Sequence, residues 1–227
     1  MVKTRLRFSK GGNLRFIGHL DFLKTFQQAL GRSKLPVAYS QGFNPHMQLS
    51  FALPLPLGMT SGYDYADLTL EAEMPEVEII SRINAQTPGG LTITGARDFT
   101  GPGAAALVMA ADYNFPVGLL AEKTSPAQTA DDIIQNLLAR KSIIIPKKTK
   151  SGIKDTDIRP DILDISVTGP NIQMRLAAGS ARFLNPMIVA GLLLGREACP
   201  SDITRAELYR QVAISDKNMS LASLYVA

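Results

Sequence analysis

The chain has 227 residues and a mass of 24.5 kDa, room for one large domain or two smaller ones that each bury a core. Hydrophobic residues make up 45%, charged residues 19% and the net charge is +4, at a mean hydropathy of +0.06, which excludes disordered and fibrous classes. One cysteine, Cys199, and two histidines, His19 and His46, are too few for a disulfide framework, a nitrogen-and-sulfur metal site or an iron–sulfur cluster, so neither metal nor cofactor is expected.

From Val2 to Phe8, Val2, Leu6 and Phe8 alternate with Lys3, Arg5 and Arg7, the period of a half-buried strand with one basic face. After the turn Lys10-Gly11-Gly12-Asn13, a second extended piece is expected over Leu14–Ile17. A helix follows with Leu20, Leu23, Phe26 and Leu30 on one stripe, ending at Gly31. Val37–Tyr39 and Gln48–Leu53 flank the polar turn 40–46, and Tyr65–Glu71 reads as a strand with Ala66, Leu68 and Leu70 inward. Pro75, Glu76 and Glu78 suit the first turn of a second helix, with Val77, Ile80 and Ile83 as its stripe; Leu91–Ala96 closes the unit. The order βαββαβ is that of a ferredoxin-like unit, both helices on one sheet face and the other face open.

Residues 99–111, rich in Gly and Ala, read as a connection, and Gly101-Pro102-Gly103 with Ala106 as part of it rather than a dinucleotide fingerprint. The second half repeats the order less clearly: a strand over Tyr113–Leu119, a helix opened by Thr129 with Asp132 at capping-box spacing, strands at Ser142–Ile145 and Ile162–Val167 around a basic loop 146–160, a strand at Ile172–Leu176 and an apolar helix capped by Asn185-Pro186. Ile203–Ile214 is compatible with strand or helix. The expected fold class is α+β, two tandem ferredoxin-like (βαββαβ) domains over 1–98 and 112–227 joined by the linker 99–111.

The charge is segregated. Residues 1–63 carry eight basic residues and one acid, 64–135 three and eleven, 136–160 seven and two, and the remainder six of each. Such segregation favours a polyanionic partner, or else the segments neutralise one another within the fold. Arg5, Arg7, Lys10 and Arg15 are the expected phosphate contacts, with Lys147, Lys148 and Arg159 in the basic loop. Tyr39, Gln41, Asn44 and His46 form the densest cluster of hydrogen-bonding side chains and are expected to make specific contacts. This reading requires the arginines of the first strand to be free; the competing possibility is that Asp67 and Glu71 on the neighbouring strand pair with them. An alternative function is metal-independent RNA cleavage, with His19 and His46 as acid and base and Tyr39 as a further catalytic candidate. Cys199 reads as a structural thiol.

The stretch Leu6-Arg7-Phe8-Ser9-Lys10 through Leu14-Arg15-Phe16-Ile17-Gly18-His19-Leu20-Asp21, then Leu35-Pro36-Val37-Ala38-Tyr39-Ser40-Gln41-Gly42-Phe43-Asn44-Pro45-His46, Pro54-Leu55-Pro56-Leu57-Gly58 and Asp157-Ile158-Arg159-Pro160, resembles the radical-SAM-linked family of uncharacterised bacterial proteins. That resemblance implies an accessory part of a radical S-adenosylmethionine enzyme, present here as a separate partner because the radical domain and its cysteine triplet are absent from this sequence. The tandem architecture is also similar to repeat-associated RNA-processing proteins, by fold alone. The expectation is a cytoplasmic, non-catalytic RNA-binding accessory protein that presents RNA or a ribonucleoprotein to that partner enzyme, without membrane contact. A protein-only interaction scaffold is the third possibility, and the oligomeric state is open.

Overall fold

A computed structural model describes residues 1–227 except 122, 126–127, 150–151, 216–217 and 226–227, and no side chain is described at 148–149 or 212–221. The protein is mixed α+β. The first half runs β1 (Val2–Lys10), α1 (His19–Arg32), β2 (Leu49–Phe51), β3 (Thr60–Leu70), α2 (Glu76–Asn84) and β4 (Leu91–Asp98). The second runs α3 (Ala104–Leu107), β5 (Val108–Pro116), α4 (Ala130–Leu138), β6 (Ile144–Thr149), β7 (Gly152–Asp157), β8 (Ile162–Thr168), β9 (Asn171–Ala177), α5 (Pro186–Leu194), β10 (Thr204–Ser215) and β11 (Asn218–Ser223). Among the described residues nine strands form one sheet, β4-β1-β3-β10-β5-β9-β8, with β2 on β3 and β11 on β10. All pairings are antiparallel except β3–β10, where Thr204 and Arg205 lie beside Thr60 and Ser61.

The local reasons match the sequence where periodicity is strong. In α4 the Thr129 hydroxyl accepts from the Asp132 amide while the Asp132 carboxylate accepts from the Thr129 amide, a closed capping box that satisfies two orphan donors. Asn185 caps α5 through the Met187 amide. The turns after β1 and before β4 meet where the Gly11 amide bonds the Gly90 carbonyl at 2.8 Å. Gly90 has φ +94°, and a Cβ there would stand 2.4 Å from the Gly11 oxygen, so only glycine fits.

Two apolar clusters lie against the sheet. In the first, Leu6 and Phe8 of β1 and Ala66, Leu68 and Leu70 of β3 meet Phe22, Phe26 and Leu30 of α1 and Ile79 and Ile83 of α2. In the second, β5, β8 and β9 meet Ile134 and Leu137 of α4 and Val189 and Leu193 of α5.

Several expectations need correction. Gly12–Phe16 is a 3₁₀ helix rather than an extended piece. The buried stripe of α1 is Phe22, Phe26, Ala29 and Leu30, while Leu20 is exposed; in α2 it is Ile79 and Ile83, with Val77 exposed. Both offsets arise because the sheet selects the face, and a neighbouring apolar residue outside the contact stays in water. The stretch 99–111 holds α3 and the start of β5, whose Ala110 and Ala111 are fully buried. The basic loop 146–160 is largely the two-stranded ribbon β6–β7, separate from the main sheet. Cys199 is exposed, its Sγ 2.9 Å from the Ser201 hydroxyl, and is not a core thiol.

The outer face of the first-half sheet is not open. Phe99–Pro102 and the residues Leu224 and Tyr225 lie over it, and Tyr65, whose parity along β3 opposes the inward Ala66, Leu68 and Leu70, is fully buried with its ring stacked on Tyr225 at 6.4 Å. The hydrogen bonds of Tyr65 go to Glu207 and Ser223, residues more than 140 positions away in the chain.

Candidate functional site

β1 sends its residues to opposite sheet faces, and this alternation separates the expected basic contacts. On the outer face Arg5 is 6% exposed and chelated by Asp67, Nε to Oδ1 at 2.8 Å and Nη2 to Oδ2 at 3.2 Å. Its Nη1 donates to the Leu224 carbonyl at 3.2 Å, and Phe99 lies 4.4 Å from the guanidinium carbon. The register that sets Arg5 opposite Asp67 is the cross-strand pairing posed above as the competing possibility. Arg5 is therefore withdrawn from solvent and from any outside phosphate.

Arg7 is half-buried between aromatic rings, 4.5 Å from Tyr225 and 4.9 Å from Tyr63, and donates to the Thr94 hydroxyl and carbonyl. Burial, with the bond to Glu76, pushes the Tyr225 phenol up to about 12, so a neutral ring stands beside Arg7 and Arg97. Lys3, at the outer end of the same stripe, is exposed.

Lys10 lies on the helix side and is 2% exposed. Its Nζ reaches the Ile17 carbonyl at 3.4 Å and sits 4.6 Å over the Phe22 ring. Burial pulls its pKa below the ordinary lysine value, partly opposed by the attraction of Asp64. It borders a narrow cavity of about 10 Å³ shared with His19 and Asp64. An amine that is deprotonated more readily when folded than when unfolded makes stability rise with pH between its folded pKa and 10.5, because the unfolded chain binds more protons across that window. Lys10→Met is expected to flatten this rise; urea unfolding of both proteins from pH 7 to 10 checks it, and parallel curves would contradict the assignment.

The other expected contacts separate likewise. Arg15 is half-buried with its guanidinium over the Phe16 ring at 4.8 Å. Arg159 donates to the Leu138 carbonyl from Nε and Nη2 and to the Ile162 carbonyl from Nη1, closing the C-terminal end of α4 onto β8. Lys147 is exposed on the ribbon directly across from Lys154; the side chain of Lys148 lies outside the described residues. His19 packs edge-on against Phe51 at 5.6 Å. His19 and His46 line different cavities, so no shared cavity brings together the acid and base of the alternative RNA-cleavage reading.

The loop 39–46 behaves differently. Tyr39, Gln41, Phe43, Asn44 and His46 are all exposed, and Phe43 contributes its whole ring to solvent. The loop is closed at its base by the Ser40 amide on the His46 carbonyl and by Gln48 Nε2 on the Tyr39 carbonyl. The Ser40 hydroxyl accepts from the His46 amide and lies 2.8 Å from Nδ1. With Ser40 donating to Nδ1, Nε2–H is left as an outward donor.

His46 also lines a cavity of about 320 Å³ with Lys3, Gln48, Ser50, Thr69 and Phe99. This cavity was not foreseen: Lys3 and Phe99 are 96 positions apart in sequence, and only the β1–β4 pairing joins them, through the Phe99 amide on the Lys3 carbonyl at 2.9 Å. The alternation at Lys3 was the available signal, but Phe99 lay in the stretch read as a linker.

Among the described residues no group of three or more His, Cys, Asp or Glu side chains is placed to hold a metal, and no helix is long and apolar enough to cross a membrane. No curated protein matches the chain. A family model described as "Uncharacterized protein conserved in bacteria (DUF2344)" matches residues 3–186, spanning β1 through the entry to α5 and thus both the loop 39–46 and Lys3. The chain belongs to that family of proteins conserved in bacteria.

Proposed function

We propose that the protein is a non-catalytic, RNA-binding accessory module built from two ferredoxin-like units and acting beside a separate radical S-adenosylmethionine enzyme. The repeated strand order supports the architectural part: β4-β1-β3-β2 in the first half and β10-β5-β9-β8 in the second, each with one helix before its edge strand and one before its last strand. The ribbon β6–β7 is then an insertion in the second unit.

The observation that carries the binding reading is the exposed loop 39–46 standing beside the cavity that His46 and Lys3 share. Two exposed aromatic rings, Tyr39 and Phe43, offer stacking surfaces, and Gln41, Asn44 and the His46 imidazole offer donors and acceptors suited to base edges that are not already paired. Arg5, Lys10 and Arg159 drop out of the binding set because their charges are used inside the fold. The exposed Lys147–Lys154 pair on the ribbon is a second cationic surface; two like charges directly across a ladder repel unless an anion lies between them. The radical enzyme as partner rests on the sequence resemblance.

The test is crosslinking in cells with the tagged full chain, followed by identification of RNA-modified peptides and co-purifying proteins. RNA adducts on peptides containing residues 39–46, together with an enzyme bearing a radical cysteine triplet, are the expected result. Recovery of neither overturns the proposal.

A further inference from the structure

The cavity beside loop 39–46 has a larger neighbour. A groove of about 850 Å³ lies at the Lys3 end of the first-half sheet, walled by β1, the end of β4 and the segments 99–102 and 224–225 that cover the outer face, and the two share the residues Lys3 and Phe99 in their walls. Lys3 and Phe99 are held side by side by the backbone hydrogen bond that extends the β1–β4 ladder, so the divide is built by the sheet and not by a loose loop. Phe99 is half-buried with the Arg5 guanidinium against its ring, which fixes the ring plane without leaving Arg5 a free charge.

Beyond the divide the groove is lined by Arg97, Arg210 and the Tyr225 ring, with Glu73 and Asp98 as its carboxylates. Asp98 is occupied in part by the Thr4 hydroxyl at 2.7 Å. On the other side, Asp67 is neutralised by Arg5. At the boundary the Lys3 ammonium is exposed, with a recess on either side and an aromatic ring next to it, while Arg97 and the carboxylates Glu73 and Asp98, exposed as well, line the groove beyond it.

We infer that the two recesses are adjacent nucleotide subsites for single-stranded RNA, the phosphate that links the two nucleotides resting on Lys3 and the base edges reaching into the cavities. This inference rests on the RNA-binding reading and names the form of the ligand. A recessed pair of sites excludes a duplex, whose bases are stacked and turned inward, and a single cation at the divide matches the one charge carried per linkage.

The probes are fluorescein-labelled oligouridylate of eight nucleotides, the uridine dinucleotide, and an RNA duplex of eight base pairs, read by anisotropy over a salt series with the full chain. The single strand is expected to bind at least about tenfold more tightly than the duplex. Lys3→Ala, an exposed substitution, is expected to weaken binding about five- to tenfold and to lower the magnitude of the salt slope by about 0.7, the value for one phosphate on a single strand. Lys3→Arg is expected to retain the slope. If Lys3→Ala changes neither affinity nor slope while Phe43→Ala abolishes binding, the subsite assignment falls and the RNA-binding reading stands. Equal binding of duplex and single strand also overturns the assignment, and binding of no oligonucleotide at any salt overturns both.

Discussion

Arg205→Ala is expected to destabilise the protein by about 3–5 kcal/mol, the cost of leaving a buried carboxylate without its cation. Arg205, on β10, is 0% exposed and places Nη2 2.6 Å from both oxygens of Asp64 on β3. The same guanidinium donates to the carbonyls of Leu53 at 2.9 Å and Pro54 at 3.2 Å. It ties a strand from one half of the chain to a strand and a loop of the other, at the place where the sheet has its parallel pairing. Removing it strands Asp64 and two carbonyls together, each an unmet acceptor in a dry environment. Urea unfolding followed by circular dichroism measures the loss; should the variant fail to accumulate, the double replacement Asp64→Leu with Arg205→Met supplies the check. Removing both charges leaves neither carboxylate nor guanidinium of the pair orphaned, and only the weaker attraction of Asp64 for Lys10 is lost, so the double variant is expected to be more stable than Arg205→Ala alone. The reverse order would show that the pair is not what holds the halves together.

Arg5→Ala separates a structural role from a binding one. Arg5 is enclosed by Asp67, the Pro102 and Leu224 carbonyls and the Phe99 ring. Its loss leaves Asp67, 9% exposed and also accepting from the Ala104 amide, with an unpaired charge. The expected cost is about 3 kcal/mol, at the lower end for a broken buried pair because the Ala104 amide still satisfies part of the carboxylate. The salt slope of single-stranded RNA binding by the folded protein is expected to stay unchanged, because Arg5 meets no phosphate; affinity changes only through the Phe99 ring that Arg5 holds. A loss of slope of the size expected for Lys3→Ala would return Arg5 to the phosphate contacts and contradict the pairing derived from the geometry.

These two arginines show how far the sequence reaches. The alternation Val2, Lys3, Arg5, Leu6, Arg7, Phe8 identified the strand and the basic face of β1 without coordinates. It could not tell Lys3 from Arg5, two positions apart on the same face, because their difference lies in Asp67, Phe99 and Leu224, which the fold brings from 62 to 219 residues away. Lys10 was misassigned for a related reason. Its parity follows Leu6 and Phe8 to the helix side, where the Phe22 ring and the Ile17 carbonyl receive it. The loop 39–46 was readable because a run of turn formers and amide side chains between two apolar segments has few ways to be buried, and all of its selected side chains are exposed.

The strand expected at Ser142–Ile145 overlaps only the start of β6; the rest of the ribbon β6–β7 and the strand β11 escaped recognition, the ribbon because four lysines mask an alternation that includes the exposed Ile144 and Ile153. Taken alone, the chain determined the identity and order of its strongly periodic elements, the capped starts of α4 and α5, the segregation of charge and the exposed polar loop 39–46, all of which follow from local spacing. Tertiary structure alone decided the pairing of β3 with β10 into one sheet, the covering of the outer face by Leu224 and Tyr225, and which cations remain free, since a charge is spent or available only according to what distant residue stands within about 3 Å of it.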